Sequence, residues 1–375
     1  MMSINNRPKM VIDSTFWCNK KVLVTGHTGF KGSWLALWLQ QLGAEVFGFA
    51  LAPNSQSSLF VRADVAQDMN SIEGDIRNLQ QLKKAVEKIK PDVVFHLAAQ
   101  ALVRYSYQNP LETYETNVMG TLHVLEAIRE CDSVRAAVMV TTDKCYENKE
   151  WIWPYRENEA IGGHDPYSSS KGCAELLIAS YRKSYFFEDH QTSIATARAG
   201  NVIGGGDWAD DRLIPDIVRA FQNDREVKIR NPNAIRPWQH VLDPLSGYLL
   251  LAEKLFADGH QYAEAWNFGP KIEDMATVQR VVELMAEYWG QAKWSVDQAE
   301  TVHEAHSLKL DSSKALVFLQ WQSKWSLLQA LEKTTSWYRL ALHGEDMKHI
   351  CEQQIMNYCL ISSSNLEKLS KNENN

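Results

Sequence analysis

The chain has 375 residues, 45% of them hydrophobic and 23% charged, with a formal net charge of −7. This composition excludes a collagen-like fibre, a coiled coil and a wholly disordered chain, and the negative balance leaves no electrostatic footprint for nucleic acid. No stretch reaches the roughly 18 apolar residues of a membrane helix, and residues 1–21 lack the apolar core of a secretory signal.

Apolar runs and amphipathic stretches then alternate. Residues 22–25 read as a buried strand and 33–42 as a helix, with Gly43 at its C-terminal cap. Another strand follows at 46–51. Leu79, Leu82, Val86 and Ile89 mark one helix face, which Pro91 ends. A strand at 92–99, a helix at 113–130, a strand at 137–141, a helix at 174–187 and a strand at 193–199 complete the alternation. The pattern predicts an α/β chain with a Rossmann-type doubly wound parallel sheet.

After Asn201 the rhythm changes. Gly204, Gly205 and Gly206 read as a flexible joint, followed by a helix at 213–222 and a strand at 227–230. Asp243 as N-cap and Pro244 in the first turn open a helix ending near 256. Helices at 277–289 and 326–342 follow. The expected division is a first domain of 1–201 plus 236–269 and a smaller, interleaved α/β domain of 202–235 plus 270–342. Residues 343–375 form an appendage, with a helix at 347–359 and a polar tail from 362 expected to be disordered. The six cysteines form no C-x-x-C pair and no zinc-type spacing. They read as free thiols of a reducing cytoplasm, with no metal site.

Gly26, Gly29 and Gly32 follow the first strand and enter the first helix. Gly26 permits a tight turn, Gly29 lets a pyrophosphate approach the backbone, and Gly32 lets the helix pack closely. The helix N-terminus offers free N–H groups and the positive end of a dipole. This is a dinucleotide site, with NAD the expected cofactor. The acid that ordinarily holds the adenosine ribose about 20 residues on is missing: the segment reads Phe49-Ala-Leu-Ala52. The ribose contact then falls to Asn54, Ser55 or the backbone. Asp75 is a candidate for holding the adenine.

Asp165 as N-cap and Pro166 place Tyr167 and Lys171 on one face of a helix. A tyrosine is a poor base, with a pKa of about 10; lowering it to about 7 takes roughly 4 kcal/mol. A lysine ammonium about 4 Å away at an effective dielectric near about 20 supplies that much. Such a pair can remove a sugar hydroxyl proton while hydride leaves for a cofactor. Thr142, Asp143 and Lys144 follow a strand, at the end that faces the ligand crevice. Thr142 suits a substrate hydroxyl, Asp143 a general acid, and Lys144 a second acid or base.

These motifs resemble the extended short-chain dehydrogenase/reductase family, and within it the nucleotide-sugar 4,6-dehydratases that act on CDP-glucose. The resemblance runs from Trp17 to about Leu342. It is carried most specifically by residues 24–34 (VTGHTGFKGSW), 142–146 (TDKCY), 167–175 (YSSSKGCAE), 198–208 (RAGNVIGGGDW) and 235–241 (IRPWQHV). It implies a cofactor-binding first domain and a substrate-binding second domain. It adds Thr28, Phe30, Lys31, Ile76, Leu97, Ala98, Ala99 and Asn117 to the NAD site, and assigns Asn201, Arg212, Arg236 and Asn267 to the substrate diphosphate. It further implies a homodimer or dimer of dimers built on helices 113–130 and 167–187. The product would be CDP-4-keto-6-deoxyglucose, a precursor of surface-polysaccharide deoxysugars. Two other functions remain open from the residues: a nucleotide-sugar 4-epimerase or a dehydratase of another nucleotide sugar, and a nicotinamide-sensing binding protein.

Overall fold

In the computed structural model, residues 12–187, 190–229, 231–290, 293–296 and 308–372 are described. Seven strands form one sheet: β1 (Lys21–Thr25), β2 (Glu45–Ala50), β3 (Asn70–Glu73), β4 (Val93–His96), β5 (Ala136–Val140), β6 (Ser193–Ala199) and β7 (Ala265–Phe268). Their spatial order is β7-β6-β5-β4-β1-β2-β3, and every neighbouring pair is parallel. The order reverses beside β1, between β1 and β4. A crevice opens there at the carboxyl ends of the strands.

The strands serve two cores because successive side chains point to opposite faces. Val22 and Val24 of β1 enter one cluster and Leu23 the other; Val93 and Phe95 of β4 stand against Val94 in the same way. Helices α1 (Phe30–Gln41), α7 (Leu242–Asp258), α8 (Val278–Trp289), α9 (Leu327–Leu342) and α10 (Met347–Asn372) cover the first face. The other face carries α2 (Leu79–Ile89), α4 (Gly120–Arg129) and α5 (Pro166–Ser184), while α6 (Leu213–Gln222) joins the first cluster. Helix α3 (Pro110–Tyr114) runs into α4 through a π-helical turn, Glu115–Met119. Short strand pairs knit the later segments: Val227–Ile229 with Trp294–Val296, and Ile235–Arg236 with Ala276–Thr277.

Four expectations change. Helix α1 begins at Phe30 rather than Ser33, so Gly32 lies inside its first turn. Gly204, Gly205 and Gly206 are no joint: all three are buried, and a Cβ on Gly205 would lie 2.0 Å from the Trp337 ring. Glycine serves close packing there, with Trp34 Nε1 donating to the Gly205 carbonyl at 3.0 Å. Asp243 is not an N-cap: α7 starts one residue earlier behind Val241, and the Asp243 carboxylate is buried under the chain's last elements. It accepts from Lys324 N at 2.7 Å and from the Tyr358 hydroxyl at 2.8 Å. Finally, α10 continues as helix through the expected polar tail to Asn372. Residues 1–11, 188–189, 230, 291–292, 297–307 and 373–375 lie outside the described part. Among the described residues no helix is long and apolar enough to cross a membrane.

Candidate active site

The glycine turn is built around positive φ and forbidden side chains. Gly26 has φ of +75°, and a Cβ there would lie 2.6 Å from the Ala98 amide nitrogen. A Cβ on Gly32 would lie 2.1 Å from the Gly26 carbonyl oxygen. The third glycine therefore lets α1 sit on the turn itself. Gly29 is the N-cap and supplies no side-chain cap, so the first N–H groups of the twelve-residue α1 face the crevice unsatisfied by side chains. Thr25 Oγ1 meets His96 Nδ1 at 2.8 Å, and His96 Nε2 meets Thr121 Oγ1 at 3.1 Å, which pins the ends of β1 and β4 together. Burial, assisted by the Lys171 charge, holds His96 down to about 3, so the ring is neutral and can serve one neighbour as donor and the other as acceptor.

One cavity of about 780 Å³ runs from this turn across the strand ends. It is lined by Gly26, Thr28, Gly29, Phe30, Lys31 and Gly32, and by Asp75, Ile76, Leu97, Ala98 and Ala99. It is also lined by Thr142, Asp143, Lys144, Tyr167 and Lys171, and by Asn201, Arg212 and Arg236. A dinucleotide fits this donor set: a glycine cradle that any Cβ would fill, free helix N–H groups and a long apolar-walled trough.

The catalytic candidates converge on the end of β5. Asp165 caps α5 by accepting from Ser168 N at 2.9 Å, and Tyr167 N donates to Ser106 Oγ at 3.1 Å. These bonds fix the first turn of the helix. One turn on, Lys171 Nζ donates to the Val140 carbonyl at 3.3 Å. Burial pushes Tyr167 up to about 12, against hydrogen bonding to Thr142 and the Arg212 charge. Burial brings Lys171 down to about 8. Lys171 is not among the main influences on the phenol, for which burial outweighs Thr142 and Arg212. Asp143 is 2% exposed. Burial pushes its carboxyl above the ordinary value, although Lys144, Thr142, Lys31 and Arg236 pull the other way. Its Oδ2 has no hydrogen-bond partner among the described residues. A carboxyl in that state favours holding a proton it can give away.

Two assigned residues stand elsewhere. Asn117 does not line the cavity; its Oδ1 accepts from Gln100 N at 2.9 Å, and its Nδ2 donates to Gln100 O and Ser170 Oγ, both at 2.9 Å. It sits in the π turn and positions the loop after β4. Asn267 is fully buried behind the cavity wall. It accepts from the Tyr146 hydroxyl at 2.7 Å and donates to the carbonyls of Tyr155 and Asp311. Both amides are spent on protein partners. Asp75 lines the cavity, but both its oxygens accept from Arg77, at 2.6–2.8 Å. Trp238 is buried, its Nε1 donating to the Ala276 carbonyl at 3.2 Å.

Sequence reasoning missed several groups. Asp207 bridges to Arg212 at 3.2 Å and Arg104 to Asp211 at 3.1 Å, all four lining the cavity. Beneath the site a buried pair, Arg198 and Glu175, meets at 2.8 Å, and Glu175 also accepts from Thr141 and Thr196. A charged residue inside the apolar run of β6, with an acid four residues after Lys171, was the available signal.

The profile of the family described as GDP-mannose 4,6 dehydratase matches residues 23–334. A CDP-glucose 4,6-dehydratase of Salmonella typhimurium is 51% identical over 93% of this chain and 98% of its own. An epimerase from Methanothermobacter thermautotrophicus superposes with a TM-score of 0.78 at 24% identity, over 88% of this chain and 95% of its own; that likeness is one of fold. MoeE5, solved with UDP-glucose and NAD, superposes with a TM-score of 0.73 at 25% identity, over 86% of this chain and 99% of its own.

Proposed function

The chain belongs to the GDP-mannose 4,6 dehydratase family, and from that premise we propose that it is an NAD-dependent lyase converting CDP-glucose to CDP-4-keto-6-deoxyglucose and water. The observation that carries the reading is that one cavity joins the glycine turn, the Tyr167/Lys171 pair and the buried Asp143 carboxyl with its free oxygen.

NAD held at the glycine turn would supply the hydride acceptor for C4 of the sugar and the hydride donor for C6. Tyr167 takes the proton of the 4-hydroxyl, with Thr142 beside the phenol and Lys171 one helical turn behind it. The resulting ketone acidifies the C5 hydrogen. Lys144 removes that proton, Asp143 protonates the departing 6-hydroxyl so that water leaves, and Lys144 returns a proton to C5 as hydride reaches C6. Arg212 and Arg236, from different segments, clamp the diphosphate beside Asn201. The glycine turn and the α1 N-terminus hold the cofactor phosphates.

The segments 1–201 plus 236–269 then carry the cofactor, and 202–235 plus 270–342 the sugar nucleotide. Exposed apolar side chains within 113–130 and 167–187, Met119 at 45% and Leu176 at 61%, support association through these helices as a dimer. The six cysteines, all free, suit a cytoplasmic enzyme, and the product suits deoxysugar supply for surface polysaccharide.

The test is to incubate the protein and NAD separately with CDP-, dTDP-, GDP- and UDP-glucose. Loss of one water from CDP-glucose, with no net NADH, supports the reading. A product of unchanged mass with inverted C4 indicates an epimerase, and turnover of another nucleotide sugar in preference moves the base assignment.

A further inference from the structure

We propose that the Ser58 hydroxyl holds the adenosine ribose of the cofactor, taking the place of the carboxylate this chain lacks. The inference rests on the cofactor reading above and deepens it. Ser58 is 6% exposed and lines the same cavity as Gly26, Gly29 and Ala52. Its hydroxyl has no hydrogen-bond partner among the described residues.

The location makes that solitude informative. Ser58 stands at the N-cap of the short helix Leu59–Arg62, where a serine ordinarily accepts from the helix's own N–H groups. Here it makes no such bond. Its backbone is fully used, with N donating to Ser55 O at 3.2 Å and O accepting from Arg62 N at 2.9 Å. A buried hydroxyl with nothing to bond is unfavourable unless a ligand completes it.

The alternatives near the end of β2 are weaker. Asn54 and Ser55 are exposed. Leu51 and Ala52 carry no polar side-chain atoms, and Thr28 Oγ1 is committed to the Leu51 carbonyl at 2.9 Å. The two oxygens of Asp75 belong to Arg77. The loop leaving β2 is where this fold ordinarily presents its ribose contact, and Ser58 is the buried, unspent polar group on it. A ribose offers vicinal hydroxyls that both donate and accept, which matches a serine. A neutral hydrogen bond is weaker than one to a carboxylate, so NAD is held less tightly than in a site with the acid.

Ser58→Ala tests this by binding and by melting, both free of turnover. The dissociation constant for NAD, read by calorimetry, should rise about tenfold, the scale of one lost hydrogen bond. The ligand-free variant should melt at the wild-type temperature or above it, because an unsatisfied buried hydroxyl has been removed. A capping role would instead lower that temperature. NAD analogues lacking the adenosine 2′- or 3′-hydroxyl identify the contact: the gap between wild type and variant should close for one of them. Equal NAD affinity in variant and wild type overturns the proposal. So does a gap that persists with both analogues, which would put the hydroxyl on a phosphate. If wild type itself binds no NAD, the cofactor reading fails first.

Discussion

The Thr142 hydroxyl donates to the Asp143 carboxylate at 3.0 Å, leaving the second carboxylate oxygen bare in a buried pocket. The same hydroxyl stands close enough to the Tyr167 phenol to draw its pKa down against burial. Thr142 therefore spaces the two groups to which the proposed reaction gives its proton transfers. Its neighbour Lys144 lines the cavity on the same turn, Asp143–Cys145, so three chemistry-bearing side chains leave the end of β5 together.

Asp143→Asn keeps this shape and removes the acid. We expect kcat to fall about 100- to 10,000-fold, the range for a lost general acid. Hydride transfer from C4 should persist, so a single turnover should show NADH appearing and remaining. In the proposed reaction the protonated carboxyl is the working form, and burial raises its pKa. Wild-type kcat should then decline on the basic side as the proton is lost, and the variant should lack that limb. Unchanged turnover in the variant would remove Asp143 from the chemistry.

Lys144→Met separates the second step from the first. Solvent deuterium should enter C5 at a rate at least about 100-fold below wild type, while oxidation at C4 continues. Exchange at the normal rate, followed by mass spectrometry, would exclude Lys144 as the base.

Arg212→Ala and Arg236→Ala should each raise KM for CDP-glucose by about 10- to 100-fold, the scale of a hydrogen bond to a charged group. The affinity for NAD should move far less in Arg236→Ala. Arg212→Ala also frees Asp207 from its bridge, so its loss should be the larger of the two.

Asp243 gives a stability test away from the chemistry. Burial pushes its carboxyl up to about 7, from an ordinary value near 3.8. A raised acid stabilises the fold at low pH, and that contribution is lost as pH rises through the folded value. His27, His96 and His240 are pushed down by burial and act in the opposite sense below their ordinary value. The clean quantity is therefore the difference between Asp243→Asn and wild type. The variant should gain on wild type in melting temperature as pH climbs from about 4 to about 7, then stay level. A difference independent of pH would mean Asp243 does not titrate there.

The parallel sheet was legible because its strands are short apolar runs between periodic helices, as at 22–25 and 193–199. The glycine turn and the Tyr167/Lys171 pair were legible for a similar reason: each is a local pattern whose spacing sets its geometry. What escaped depends on distant contacts. Gly205 is packed by Trp337, and Asp243 meets Tyr358 more than a hundred residues later. Asn117 and Asn267 looked like ligand contacts, but their amides are satisfied by protein groups that folding alone brings near. Ser58 is the converse case, a buried hydroxyl that makes no hydrogen bond among the described residues.

The central claim is a redox cycle that starts at C4 and ends at C6 of one sugar. CDP-glucose carrying deuterium at C4 tests it most directly, with the product read by NMR. The account predicts a 4-keto-6-deoxy product with the deuterium on C6 of the same molecule and no net NADH. Deuterium still at C4 with no water lost would contradict it.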